Sequence, residues 1–120
     1  HLRLADATRA AARAWGLENV CRCSEEYSPV VTALMMPDGH DSEAFRALVK
    51  QRFNVTLGAG LGRLKSRAFR IGHLGDFNEP MLMGVLCAVE MGLSVAAVPS
   101  SPGGADAAMA RLKRGVITAP

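Results

Sequence analysis

Polar and apolar positions repeat with two different periods along this chain, and the changes of period mark its elements. From Leu2 to Trp15, "LRLADATRAAARAW", alanines and leucines fill one side while Arg3, Arg9 and Arg13 supply a wet face. This predicts an amphipathic helix, rich in the best helix former, with Gly16 as its stop. "ENVCRC", Glu18–Cys23, reads as a short strand and "SEEYSP", Ser24–Pro29, as loop. "VVTALMM", Val30–Met36, is β-branched at first and apolar nearly throughout, which predicts a strand covered on both faces.

"PDGHD", Pro37–Asp41, predicts a turn that delivers a helix capped by Asp41. Ala44, Phe45, Leu48 and Val49 then form an apolar stripe, Arg46, Lys50 and Arg52 face water, and the helix ends near Phe53. Val55–Leu57 predicts another short strand, and Gly58, Gly60 and Gly62 a flexible loop. In Arg67–Gly72 the period returns to two. Phe69 and Ile71 point to one face, and Ala68 and Arg70 to the other. Asn78 caps the next helix, with Glu79 and Pro80 in its first turn, and that helix runs to about Gly92. A loop containing "PSSPGG" leads to a last helix that starts near Asp106 and stops at Gly115. Short strands alternating with helices predict an α+β fold: a small, mainly antiparallel sheet with helices packed on one face.

Composition narrows the function classes. The chain's 120 residues suit one domain with one core, and 49% hydrophobic with 21% charged is ordinary globular chemistry. The net charge of +3, from 14 basic and 11 acidic residues, clusters only at "RLKSR" and "RLKR". Aromatics at 5% leave little to stack bases, so a nucleic-acid partner is not expected. Met81–Val98 is nearly all apolar, but Glu90 interrupts it and no basic residues flank it. It therefore reads as a helix buried between other elements rather than a membrane span. Of the three cysteines, Cys21 and Cys23 are too close for a structural zinc site, and Cys87 reads as a small core residue. A reducing, cytoplasmic setting is the simplest account. The chain opens at His1 directly on helical sequence, which reads as a piece cut from a longer polypeptide.

The candidate chemistry is sparse. "LGAGLG", Leu57–Gly62, has glycine at every second position, but it fails both the dinucleotide fingerprint and the Walker pattern. A loop allowing close approach is the better reading. His40 lies between Asp38 and Asp41, and His73 lies three before Asp76, yet turn and capping chemistry account for those aspartates. No metal site is expected, although His73 is placed near any ligand that Arg70 binds. Lys50, Lys65 and Lys113 all read as solvated, so no nucleophilic lysine is assigned. Arg70 stands out. An arginine in an apolar strand is costly to bury unless an anion meets it, and its planar fork suits a carboxylate. Gly72 and Gly75 keep bulk away from that strand end.

The order "YSPVVTALMMPDGHDSEAFR", then "RFNVTLGAGLGRLKSRAFRIGHLGDFNEPMLMGVLCAVEMGL", resembles the C-terminal part of serine–glyoxylate and alanine–glyoxylate aminotransferases. These are class V, fold-type I enzymes that use pyridoxal phosphate. The resemblance implies a connecting helix at 1–15, a small domain at 16–114 and a tail at 115–120. It implies that Arg70 grips the α-carboxylate of small amino-acid and oxo-acid substrates, with Gly58, Gly60 and Gly62 near the mouth of the site. The Schiff-base lysine and the cofactor-holding groups would lie in a large domain outside this chain, in a parent that is a homodimer. The other reading is a stand-alone module that binds a small carboxylate.

Overall fold

A computed structural model describes residues 2–21, 31–73 and 77–118, and of 115–118 only the backbone. The order of elements is α1 (Leu2–Trp15), β1 (Val31–Met35), α2 (Ser42–Phe53), β2 (Gly58–Ala59), a 3-10 turn (Gly62–Leu64), β3 (Ala68–Gly72), α3 (Glu79–Val95) and α4 (Gly104–Thr118). The predicted loop 24–29, Cys23, Gly75 and Asp76 lie outside the described residues.

The strands form one antiparallel sheet in the order β1-β3-β2. The register pairs Leu34 with Phe69 and Thr32 with Ile71, so these four share a face, and all four are buried. Helices pack on that face. Phe45 of α2 meets Phe69 with ring centroids 5.2 Å apart, and Leu82, Leu86 and Val89 of α3 complete the core. On the other face Val31, Ala33, Met35 and Arg70 are only half-buried. β1 is therefore covered on one face rather than two. The predicted strand at Glu18–Cys23 reduces, within the described residues, to a bridge between Asn19 and Leu34, supported by Met35 N–H donating to Glu18 O at 2.8 Å.

Local chemistry sets most helix ends. The Asp41 carboxylate accepts from Glu43 N–H, and the Asn78 side chain accepts from Met81 N–H. α2 ends on Asn54 in the left-handed region. Along α2 two expectations change: Ala44 is exposed, and Arg46 is half-buried rather than wet. α3 continues past Gly92 to Val95. A Cβ at Gly92 would lie 2.8 Å from Val49 Cγ2, so this glycine lets α2 and α3 close together instead of ending the helix. The stop falls at Ala97, with φ of 56°, where Ala97 N–H donates to Ser94 O and Val98 N–H to Leu93 O. This is a Schellman ending with alanine where glycine is the usual residue. Cys87 is exposed on α3, not in the core, because only one side of this apolar helix is covered.

α1 packs along α4 through its buried alanines, and Arg111 of α4 reaches Asp6 with both carboxylate oxygens at 2.8 and 2.9 Å. A second tie joins three helices. Glu90 of α3 accepts from the Trp15 indole at 2.9 Å, from Ala105 N–H at 2.9 Å and from Gly103 N–H at 3.3 Å. It thus caps α4 from outside and meets the positive end of its dipole. That is why α4 starts at Gly104 rather than Asp106. Gly104 has no Cβ because one would collide with the Trp15 ring. α4 also runs through Gly115 to Thr118, where a stop was expected.

Burial pushes the Glu90 carboxyl up, but the amide of Ala105, the Trp15 indole and the amide of Gly103 more than offset this, and its pKa is lowered. Glu90→Gln should destabilise the fold by roughly 1–3 kcal/mol in urea titration at neutral pH. Because the folded pKa is depressed, that difference is fully present above the ordinary carboxylate value of about 4.3. It fades as pH falls through the lower folded value. Ala97→Gly should act in the opposite direction, raising stability by up to about 1 kcal/mol in the same titration by relieving the left-handed alanine.

Candidate carboxylate site

Arg70 lies in the middle of β3, the central strand. Its lateral neighbours are Ala33 on β1 and Gly58 on β2. Both are small, so the guanidinium has room to lie over the sheet. It leans toward β2: Arg70 Nε donates to Ala59 O at 2.8 Å. A Cβ built on Gly58 would sit 3.1 Å from Arg70 Cβ, 3.3 Å from Nε and 3.6 Å from Nη2. The side of the guanidinium that carries Nε and Nη2 therefore rests on the β2 backbone. No salt bridge joins Arg70 to a carboxylate among the described residues, whereas Arg3, Arg46, Arg67 and Arg111 each have one.

The glycine loop carries β2 and the 3-10 turn, and its strand is Gly58–Ala59 rather than Val55–Leu57. Each glycine has its own reason. Gly58 makes room for Arg70. Gly60 is buried, donates to Ala68 O at 3.1 Å, and could not carry a Cβ without striking the Leu64 carbonyl. Gly62 has φ of 58° and starts the 3-10 turn. Gly60 N–H donates to Ala68 O of β3 and Lys65 N–H to Gly62 O, so these two amides are taken up by the fold rather than offered to a phosphate.

Sequence reasoning missed Arg46. Its Nε donates to Leu57 O at 2.8 Å, and its Nη1 grips both oxygens of Glu43 at 2.9 and 3.1 Å. Two arginines thus hold the carbonyls on either side of Gly58, Arg46 that of Leu57 and Arg70 that of Ala59. Nothing in the pattern around "EAFRAL" signals this, because the partner is a backbone atom on another element.

His73 does not join Arg70. It is fully buried on the core side, where Nε2 lies 2.9 Å from Thr32 Oγ1. The pair is a satisfied core contact. His40 closes the turn before α2, its N–H donating to Pro37 O. Among the described residues no group of His, Cys, Asp or Glu is placed to hold a metal. Lys50, Lys65 and Lys113 are all exposed. Among the described residues, no helix is long and apolar enough to cross a membrane.

No protein-family model matches the chain. It is 44% identical over 108 residues to the serine–glyoxylate aminotransferase of Arabidopsis thaliana and 41% identical over 108 residues to that of Methylorubrum extorquens. Each alignment takes in 90% of this chain and 27% of the relative. The chain is homologous to the C-terminal part of class V aminotransferases. The crystal structure of pyridoxamine–pyruvate aminotransferase from Mesorhizobium loti superposes on this aminotransferase segment with a TM-score of 0.88 at 31% identity. That match covers 96% of this chain and 30% of the other. The segment thus spans about a quarter of the curated relatives it matches. The small antiparallel sheet with helices on one face is the aminotransferase segment's own fold, as its pattern predicts.

Placing His73 in the core has a testable consequence. Thr32→Val removes the partner of Nε2 and should cost about 1–3 kcal/mol in chemical unfolding.

Proposed function

We propose that this segment is the substrate-clamping part of a pyridoxal-phosphate-dependent aminotransferase that moves an amino group from serine or alanine to glyoxylate, with Arg70 holding the substrate carboxylate. One observation carries the reading. Arg70 is half-buried on the open face of the sheet, oriented by Ala59 O, with no carboxylate of the described chain against it. A cation held in that state suits an anion that comes and goes.

The names of the relatives support the same chemistry. They differ in amino donor, serine in one case and pyridoxamine in another, while glyoxylate and pyruvate are both small 2-oxo acids. A carboxylate next to a carbonyl is what the acceptors share, and a guanidinium reads it bidentately.

The cofactor would supply the electron sink for amino-group transfer. The described residues do not fit it: the three lysines are exposed, and the amides of Gly60, Leu64 and Lys65 in the glycine loop are already engaged with carbonyls of the fold. Its binding groups would belong to the remainder of a longer polypeptide. This segment's share of the work is then to bind and orient the substrate, so that its α-carbon is delivered in one pose.

The test is Arg70→Ala in the full-length enzyme. Losing a charged, bidentate contact should lower kcat/KM for L-serine roughly ten- to a hundredfold, and Arg70→Lys should recover only part of it. Unchanged steady-state kinetics would remove Arg70 from the site.

A further inference from the structure

A carboxylate can meet a guanidinium in two ways: side-on, through Nε and Nη2, or end-on, through Nη1 and Nη2. In this protein the side-on edge is already taken. Nε donates to Ala59 O at 2.8 Å, and Nη2 rests over Gly58, at 3.6 Å from where a Cβ would be. Side-on contact needs Nε, which is engaged, whereas neither Nη1 nor Nη2 has a hydrogen-bond partner among the described residues, so the end-on pair is the one left for an anion. The surface under the side-on edge is β2, a strand of two residues paired with Arg70 and Phe69. A two-residue strand has little hold of its own. Its position is secured from behind by Arg46, whose Nε fixes Leu57 O at 2.8 Å while Glu43 fixes the other end of the guanidinium. Leu57 itself is buried in the core, which pins the residue before Gly58.

Resting on the carboxylate reading of Arg70, we propose that Arg46 and Gly58 are positioning residues that splint Arg70 against β2 and restrict the substrate carboxylate to the end-on fork. Arg46 acts through the backbone of β2. Gly58 acts by having no side chain, since any Cβ there would push on Arg70 before it met anything else: the three nearest atoms all belong to Arg70. Gly58 has no positive φ, so alanine suits its backbone dihedrals, but the added Cβ would press on Arg70 Cβ at 3.1 Å and on Nε at 3.3 Å; Gly58→Ala therefore tests displacement of the Arg70 side chain from its seat on β2.

The experiment measures, in the full-length enzyme, KM and kcat for L-serine and the competitive inhibition constant of glycolate, a carboxylate with no amino group to transfer. The variants are Gly58→Ala, Arg46→Ala, Arg70→Ala and each of the first two combined with the third. Gly58→Ala and Arg46→Ala should each raise KM and the glycolate constant about tenfold, the scale of one misaligned charged hydrogen bond, with kcat changed far less. In the Arg70→Ala background neither should add anything, because no fork remains to misplace. Effects that multiply on top of Arg70→Ala, or single variants without effect, would overturn the proposal. A silent Arg70→Ala would overturn the carboxylate reading and this inference with it, whereas an effective Arg70→Ala with a silent Gly58→Ala would overturn this inference alone. Should Arg46→Ala fail to fold, Gly58→Ala carries the test.

Discussion

The two-residue period of β3 is the constraint on which this structure turns. Because β3 is the central strand, it cannot hide a mismatch at an edge, and its alternation has to satisfy two environments at once. Phe69 and Ile71 anchor the helices on one side, while Arg70 stands on the other. A slip of one residue would bury the guanidinium among Phe45 and Val49 and expose two large hydrophobic side chains. The core therefore fixes the register, and the register fixes where the guanidinium emerges. Stability and the proposed carboxylate contact share one strand but use opposite faces of it.

The helical half of the molecule depends on a different contact. Glu90 sits in an otherwise apolar helix, and its carboxylate gathers donors from two neighbouring helices. A lone buried carboxylate is costly, but one that meets an indole and helix-terminal amides is compensated. Its placement also uses up the anion-attracting end of α4 inside the fold. The outward-facing positive character of the segment is left to side chains such as Arg70.

Much of the fold was legible because local chemistry agreed with the final packing. Both ends of α1 and of α2 follow from alanine content, an Asp cap and the polar–apolar period, and the structure keeps them. The misreadings have physical causes. Gly-Ala has no strand propensity, so β2 is invisible until β3 pairs with it. Glycine usually ends a helix, yet Gly92 serves close packing and Ala97 takes the left-handed stop. α4 begins early because its cap, Glu90, lies in another helix. Cys87 sits on an evenly apolar helix, where sequence cannot say which side is covered. His73 is different, since its parity with Phe69 and Ile71 already pointed to the core. Arg70 was visible as an oddity in an apolar strand, but Arg46 was not, because its partner is a carbonyl that only the tertiary fold brings near.

The pairing of α1 with α4 has a consequence in time rather than space. Asp6 and Arg111 are 105 positions apart, and the alanine face of α1 has its main partner in α4. During synthesis at roughly 5–20 residues per second, α1 leaves the ribosome on the order of 5–20 s before α4 is complete. Through that interval the part of its apolar face that meets α4 lacks this partner, while α2, β3 and α3 already have one another. The sheet and the helices α2 and α3 are then able to consolidate first, and α1, though made before them, waits for α4 to be seated along its length.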